Sequence, residues 1–138
     1  MPKLRVDLPI YTFDIDFNGH VSNIVYIRWM EVARIHLLEA IDMPVSELLK
    51  QGFGPVLVET QIKYKRPLKL GDEVHVMIWV TELVKASVWM DFEFLDGENQ
   101  LVACARQRGL FVDHSSGRPR RFTSDDLERI EKYLETEL

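Results

Sequence analysis

One long helical segment, followed by four alternating segments joined by short links, constrains the fold of this 138-residue chain more than any other feature. From Asn23 to about Ile41, the residues Tyr26, Trp29, Met30, Ala33, Leu37, Ala40 and Ile41 recur at the three- and four-residue spacing that gathers side chains on one helical face. Arg28, Glu31, Arg34 and Glu39 fall on the other side, and Ser22 or Asn23 is suited to cap the start. Pro44 and the Gly52–Pro55 region break the helical pattern, leaving room between them for one short helix over 45–51.

Beyond that point the period changes to two. In 56–66, Val58, Thr60, Ile62 and Tyr64 alternate with Glu59, Gln61, Lys63 and Lys65. Val74, Val76, Ile78 and Val80 alternate with His75, Met77 and Trp79. After a link near Lys85, Val88, Met90, Phe92 and Phe94 alternate with Trp89, Asp91 and Glu93. Asp96-Gly97 signals a hairpin leading into a last long strand over 100–112. Links this short cannot carry parallel crossovers, so the four strands form an antiparallel meander. Residues 4–11 read as a first strand, with Pro9 marking an edge or an end. A terminal helix starts near Thr123 or Ser124, with Asp125 and Asp126 favourably placed in its first turn and Leu127, Ile130 and Leu134 as a narrow apolar stripe.

A lone helix with a broad apolar face needs one large sheet to cover it. The expectation is therefore a single α+β domain over 1–138, in which a curled antiparallel sheet of about five strands surrounds one long central helix, plus a short C-terminal helix. Composition supports a globular domain without narrowing it. Seventeen Lys and Arg against 22 Asp and Glu give a net charge of −5, so no general nucleic-acid role has electrostatic support. One cysteine, Cys104, excludes an internal disulfide framework, fits a reducing compartment and reads as a core residue. The N-terminus lacks the apolar run of a signal peptide and no segment approaches a membrane span, which together point to the cytoplasm.

The residues best suited to chemistry precede the long helix. In Asp14-Ile15-Asp16-Phe17-Asn18-Gly19-His20-Val21-Ser22-Asn23, a glycine-bearing turn separates a carboxylate from a helix N-terminus. A carboxylate can attack a carbonyl carbon or deprotonate water, and the first N–H groups of a helix can hold negative charge developing on oxygen. On spacing alone, turn formation by Asp14, Asp16 and Asn18 is the stronger reading. The later ligands of a calcium loop are missing. Glu31 sits three residues from Arg28 and from Arg34 and reads as part of a surface ion pair. His20 serves equally well as a hydrogen-bonding partner for Asp16 or as a stabiliser of the turn. His36, His75 and His114 are dispersed, without metal-ligand spacing. The large apolar side chains Trp29, Trp79, Trp89 and Phe53 either line a tunnel or fill the core.

The run Asp16-Phe17-Asn18-Gly19-His20-Val21-Ser22-Asn23, then Tyr26, then Glu31-Val32-Ala33-Arg34, resembles the D-x-x-G-H-V-N-N-x-x-Y-x-x-x-x-E-x-A-R signature of 4-hydroxybenzoyl-CoA thioesterase-like hotdog proteins. The likeness continues through Glu59-Thr60-Gln61-Ile62-Lys63-Tyr64-Lys65-Arg66-Pro67-Leu68 and Gly71-Asp72, so it spans roughly residues 5 to 113; Ser22 departs from the usual Asn. The resemblance implies a hotdog fold, a homodimer or homotetramer, and hydrolysis of an acyl-thioester to free acid and thiol without a cofactor or metal. It implies Asp16 as catalytic carboxylate and the backbone N–H of Asn23 as the group polarising the thioester carbonyl, with His20 beside them. Gly19 and Tyr26 are then expected in substrate binding. Lys63, Lys65 and Arg66, crowded at one strand end, either hold the phosphates of coenzyme A or the acidic surface of an acyl-carrier protein or, the heavier reading for the wet face of a strand, serve solubility. A non-catalytic acyl-CoA or acyl-carrier binding module is the alternative. A hotdog enoyl-CoA hydratase is a weaker one, because the Asp/His or His/Glu pair it needs finds no convincing match.

Overall fold

The computed structural model describes residues 2–135. Strand β1 (Leu4–Leu8) stops just before Pro9, shorter than the 4–11 expected, because the chain turns into a 3₁₀ turn at Thr12–Asp14. Helix α1 (Asn23–Ala40) and the short α2 (Val45–Lys50) precede β2 (Phe53–Tyr64), β3 (Val74–Val84), β4 (Ser87–Asp96) and β5 (Leu101–Asp113). A two-residue strand β6 (Pro119–Arg120) and helix α3 (Ser124–Ile130) follow. The sheet therefore has six strands, the expected five and the short β6.

Neighbours run in the order β1-β3-β4-β5-β2, all antiparallel, with β6 paired to β5. Lys85, with φ of 56°, makes the tight β3–β4 turn. β1 and β2 are the two edges. β2 begins earlier than expected and takes in Pro55, which an edge strand tolerates because its missing N–H faces no ladder. A bulge between Leu57 and Glu59 interrupts its pairing with β5.

The inner face of the sheet carries Val74, Val76, Ile78 and Val80 of β3 and Met90, Phe92 and Phe94 of β4, all buried against α1. From the helix, Tyr26, Trp29, Met30, Ala33, Leu37 and Ile41 complete the core, with Met30 and Ala33 at 0% exposure. Two helical assignments change. Ala40 is exposed, whereas Arg34 turns out of the solvent face toward the sheet. Cys104 is half-buried and pairs with Glu93 on the outer face, so it is not a core residue. Trp79 and Trp89 also lie on the outer face, beneath Lys3 (4.1 Å) and Arg106 (4.2 Å) respectively. Among the described residues, no helix is long and apolar enough to cross a membrane.

Candidate active site

The turn before α1 is held by its own acidic side chains. Asp14, 5% exposed, accepts the Tyr11 N–H on Oδ2 at 2.8 Å, and its carbonyl accepts the Ser22 N–H at 2.9 Å. Asp14 is thus occupied with turn chemistry. Asp16 Oδ1 accepts the N–H groups of Asn18 (2.9 Å) and His20 (3.2 Å), while the Asp16 N–H donates to the His20 carbonyl at 2.8 Å. An Ile15–Val21 bridge and Gly19, at a φ of 77° that favours glycine, close the loop. Both turn bonds therefore fall on one oxygen of the carboxylate. Among the described residues, His20 reaches Asp16 through its backbone and not through its imidazole.

The helix start lies directly beyond. Ser22 is the N-cap, its Oγ accepting the Ile24 N–H at 3.4 Å. Asn23 is the first helical residue, so its N–H has no intrahelical carbonyl to bond and points out at the positive end of the helix dipole. The Tyr64 hydroxyl donates to the Asn23 carbonyl at 3.2 Å, tying the end of β2 to the same corner. Lys63, Lys65 and Arg66, all exposed, continue from that end. Tyr26, one turn into α1, is 2% exposed and meets Trp29, Tyr64 and Phe94 edge-to-face. Burial, with some help from Tyr64, pushes its hydroxyl pKa up to about 12.

A cavity of about 340 Å³ opens between α1 and the sheet. Glu31, Arg34 and Ile35 line it from the helix, Pro55, Val56 and Leu57 from β2, and Gly109 and Phe111 from β5, among others. Its polar end is set by Arg34, whose Nη1 donates to Gln107 Oε1 at 2.6 Å; Gln107 is 0% exposed, and its Nε2 donates to Thr60 Oγ1 at 3.2 Å. Burial lowers the Arg34 pKa from its ordinary value, and Glu31 opposes the shift. Asp16 is not part of this lining, since Glu31 lies about 12 Å along α1 from Asn23 at 1.5 Å per residue. A second hollow, of about 400 Å³ on the outer face, is lined by Lys3, Glu82, Asp91, Arg106 and Glu135, which pair with one another.

A model of the thioesterase-like superfamily matches residues 11–130, most of the chain, including the Asp16 turn, α1 and the whole β2–β5 meander. The chain belongs to the thioesterase-like superfamily. Membership makes it a thioester hydrolase and the fold a hotdog. YneP of Bacillus subtilis, whose name assigns it provisionally as an acyl-CoA thioesterase, is 27% identical over 118 residues, 86% of each chain. A Thermus thermophilus thioesterase solved with coenzyme A and zinc is 29% identical, with a TM-score of 0.81 over 96% of this chain and 93% of that one. A Bacillus stearothermophilus structure shares the fold at a TM-score of 0.87 over 98% of both chains and 16% identity.

Within this thioesterase domain the structure gathers Asp16, Gly19, His20 and Asn23 in one turn, to which the Tyr64 hydroxyl is tied; Lys63 and Lys65 flank Tyr64 in the chain, and Arg66 Nη1 donates to Gln100 Oε1 at 2.5 Å. Trp29, Trp79, Trp89 and Phe53 line no part of the cavity. Trp29 and Phe53 fill the core and the other two lie on the outer face. Sequence reasoning missed Arg34 and Gln107. A signal for Arg34 was present, because 30, 33, 34 and 37 form the three-and-four spacing of an inward face. Gln107 is one polar residue in the inward register of β5, where Ala103 and Ala105 precede it.

Proposed function

We propose that this thioesterase hydrolyses acyl-coenzyme A esters, with Asp16 as nucleophile or general base and the Asn23 N–H as the donor that polarises the thioester carbonyl. The observation that carries the reading is the division of labour on one carboxylate: the turn bonds Asp16 through Oδ1 alone, beside an unpaired helix N-terminus. As nucleophile, the carboxylate adds to the carbonyl carbon and the carbon–sulfur bond breaks, expelling the thiolate and leaving an acyl anhydride on Asp16 that water cleaves, the proton so freed going to the thiolate. As general base, it takes a proton from water as the hydroxide adds, and the proton leaves with the thiol. Either route yields acid and thiol, and both place negative charge on the oxygen facing Asn23. Backbone bonding by His20 fixes the carboxylate, Gly19 permits the turn, and Tyr26 forms the packed floor below it. Lys63, Lys65 and Arg66 are positioned for the phosphates of coenzyme A.

The working form is a homodimer paired through β2. The outer edge of β2 is unpaired over most of its length, and Val56, Val58 and Tyr64 are 44%, 46% and 42% exposed. Such an edge, left open, invites another strand. A two-fold axis near the middle of β2 sets the Tyr64 end of one protomer, with its Asp16 turn, against the Pro55–Leu57 cavity wall of the other. The pairing closes the gap that separates Asp16 from the cavity within one chain.

Thiol release measured across short, long and aromatic acyl-CoA esters, and across acyl-carrier esters, tests the proposal. Hydrolysis of at least one CoA series, lost in Asp16→Asn, is expected. Tight binding without thiol release identifies a binding module instead, and full activity in Asp16→Asn overturns the assignment of the carboxylate.

A further inference from the structure

The cavity has two unlike ends. Glu31 and Arg34 stand at one, while Leu38, Ile41, Val45, Leu49, Phe122 and Ile130 converge on the other. The lining follows α1 from Glu31 to Ile41, roughly 15 Å of helix. Phe122 and Ile130 come from neither the sheet nor the central helix but from the segment after β5, which crosses the far end of the cavity as a strap.

This strap is fixed at several points. β6 pairs Arg120 with Phe111 and Pro119 with Val112. The Arg120 guanidinium lies 3.8 Å from the Phe53 ring and donates to Asp126 Oδ2 at 2.9 Å. The same buried oxygen accepts the Thr123 N–H at 3.0 Å, while Thr123 Oγ1 accepts the Asp126 N–H at 3.1 Å. At the far side of α3, Arg129 donates to the Asp42 carbonyl at 2.6 Å, fastening the strap to the turn after α1. Phe122 is thereby held edge-on against Phe111, with ring centroids 5.3 Å apart at 81°. A wall anchored by a half-buried ion pair, a capping box and a hydrogen bond to the turn after α1 does not yield to an incoming acyl chain as a loose loop would.

We propose that the strap from Pro119 to Ile130 is the length stop of the acyl site. The inference rests on the cavity being the acyl site of the proposed thioesterase. At about 340 Å³ the cavity holds roughly twice the volume of a ~150 Å³ apolar cavity that takes up benzene, so it suits a medium chain or a compact ring system. His114 lines that end beside Gly54 and Leu49, and the side chains around it are apolar.

The test is calorimetric binding of non-hydrolysable acyl-CoA thioethers of graded chain length to the unaltered 138-residue chain and to Phe122→Trp, Phe122→Ala and Ile130→Val. Thiol release from the matching esters is measured in parallel. Expected is a wild-type optimum followed by a drop of about tenfold or more per excess methylene. The optimum moves to shorter chains in Phe122→Trp and to longer chains in Phe122→Ala and, by less, in Ile130→Val. An unchanged length ranking in folded Phe122→Trp and Ile130→Val overturns the stop, as does a wild type indifferent to length. Binding with the expected ranking but without thiol release leaves the stop standing and removes the hydrolytic reading.

Discussion

Gln107 and Arg34 form a buried pair whose two halves depend on each other for stability. In Gln107→Leu, the Arg34 guanidinium stays half-buried without the acceptor it meets at 2.6 Å. Hydrogen bonds to charged groups are worth about 1.5–3 kcal/mol, so about 2 kcal/mol is lost. In Arg34→Met, the carbonyl oxygen of a side chain at 0% exposure loses its donor, again costing about 1–3 kcal/mol. The double variant removes both polar groups and keeps much of the volume, so it costs roughly what one single variant costs and not the sum. The coupling is therefore about 1–2 kcal/mol, well above the ~0.5 kcal/mol that independent sites show. Urea unfolding of the four proteins at one fixed protomer concentration measures it, with each single variant lowering Tm by roughly 6–10 °C. An arginine guanidinium keeps its charge in proteins, so the cycle is run near neutral pH with Arg34 cationic. Additivity within ~0.5 kcal/mol refutes the interdependence and makes Gln107 a passive filler of the sheet.

Asp16 separates into two roles under two substitutions. Asp16→Asn keeps an acceptor for the Asn18 and His20 N–H groups and should unfold within ~0.5 kcal/mol of wild type while thiol release falls about 10²–10⁴-fold. Asp16→Ala should lose the activity and also about 1–2 kcal/mol, read by thermal denaturation. Burial, helped by Arg5 and opposed by Asp7 and Asp96, lowers the pKa of His75. Between that lowered value and about 6.5 the unfolded chain binds more protons, so stability is full above 6.5 and declines as the pH falls below it. Tm measured from roughly pH 8 to pH 5 should show that decline, and His75→Leu should flatten it; an unchanged slope assigns the acid sensitivity to other groups. Val58→Arg places like charges across the two-fold at the exposed bulge of β2, and light scattering should report protomer mass together with lost thiol release.

The elements whose pattern is local were the most legible in the sequence. The three-and-four spacing from Tyr26 to Ile41 gave α1, and the alternation through Val74–Val80 and Val88–Phe94 gave the central strands, because side-chain period alone decides which face is buried. Boundaries were less legible where tertiary pairing outweighs composition. Gly52 and Pro55 read as breakers, yet β2 starts at Phe53 because β5 supplies a partner across that stretch. Cys104 was misplaced because a run of small residues hides which of them points inward, and that is fixed only by pairing Ala103 with Phe94. At the site, the Asp16 turn was visible because Asx and glycine chemistry is local. The Arg34–Gln107–Thr60 chain was not, since it joins a helix to two strands distant in sequence.

The order of strands across the sheet also dictates an order of assembly. β3, β4 and β5 are joined by tight turns and can zip as soon as they are synthesised, whereas β1 and β2 each wait for a partner that emerges much later. Leu4 pairs with Ile78, and Phe53 pairs with Asp113 at the very end of β5. Closing such long loops before any pairing rewards them makes these two strands the slow additions. The edge that the proposed dimer would use is thus set in the sheet only once β5 is in place, so a chain truncated before β5 cannot present it in that form. In the proposed dimer, association is in this way postponed until after folding, which keeps half-made chains from pairing through β2.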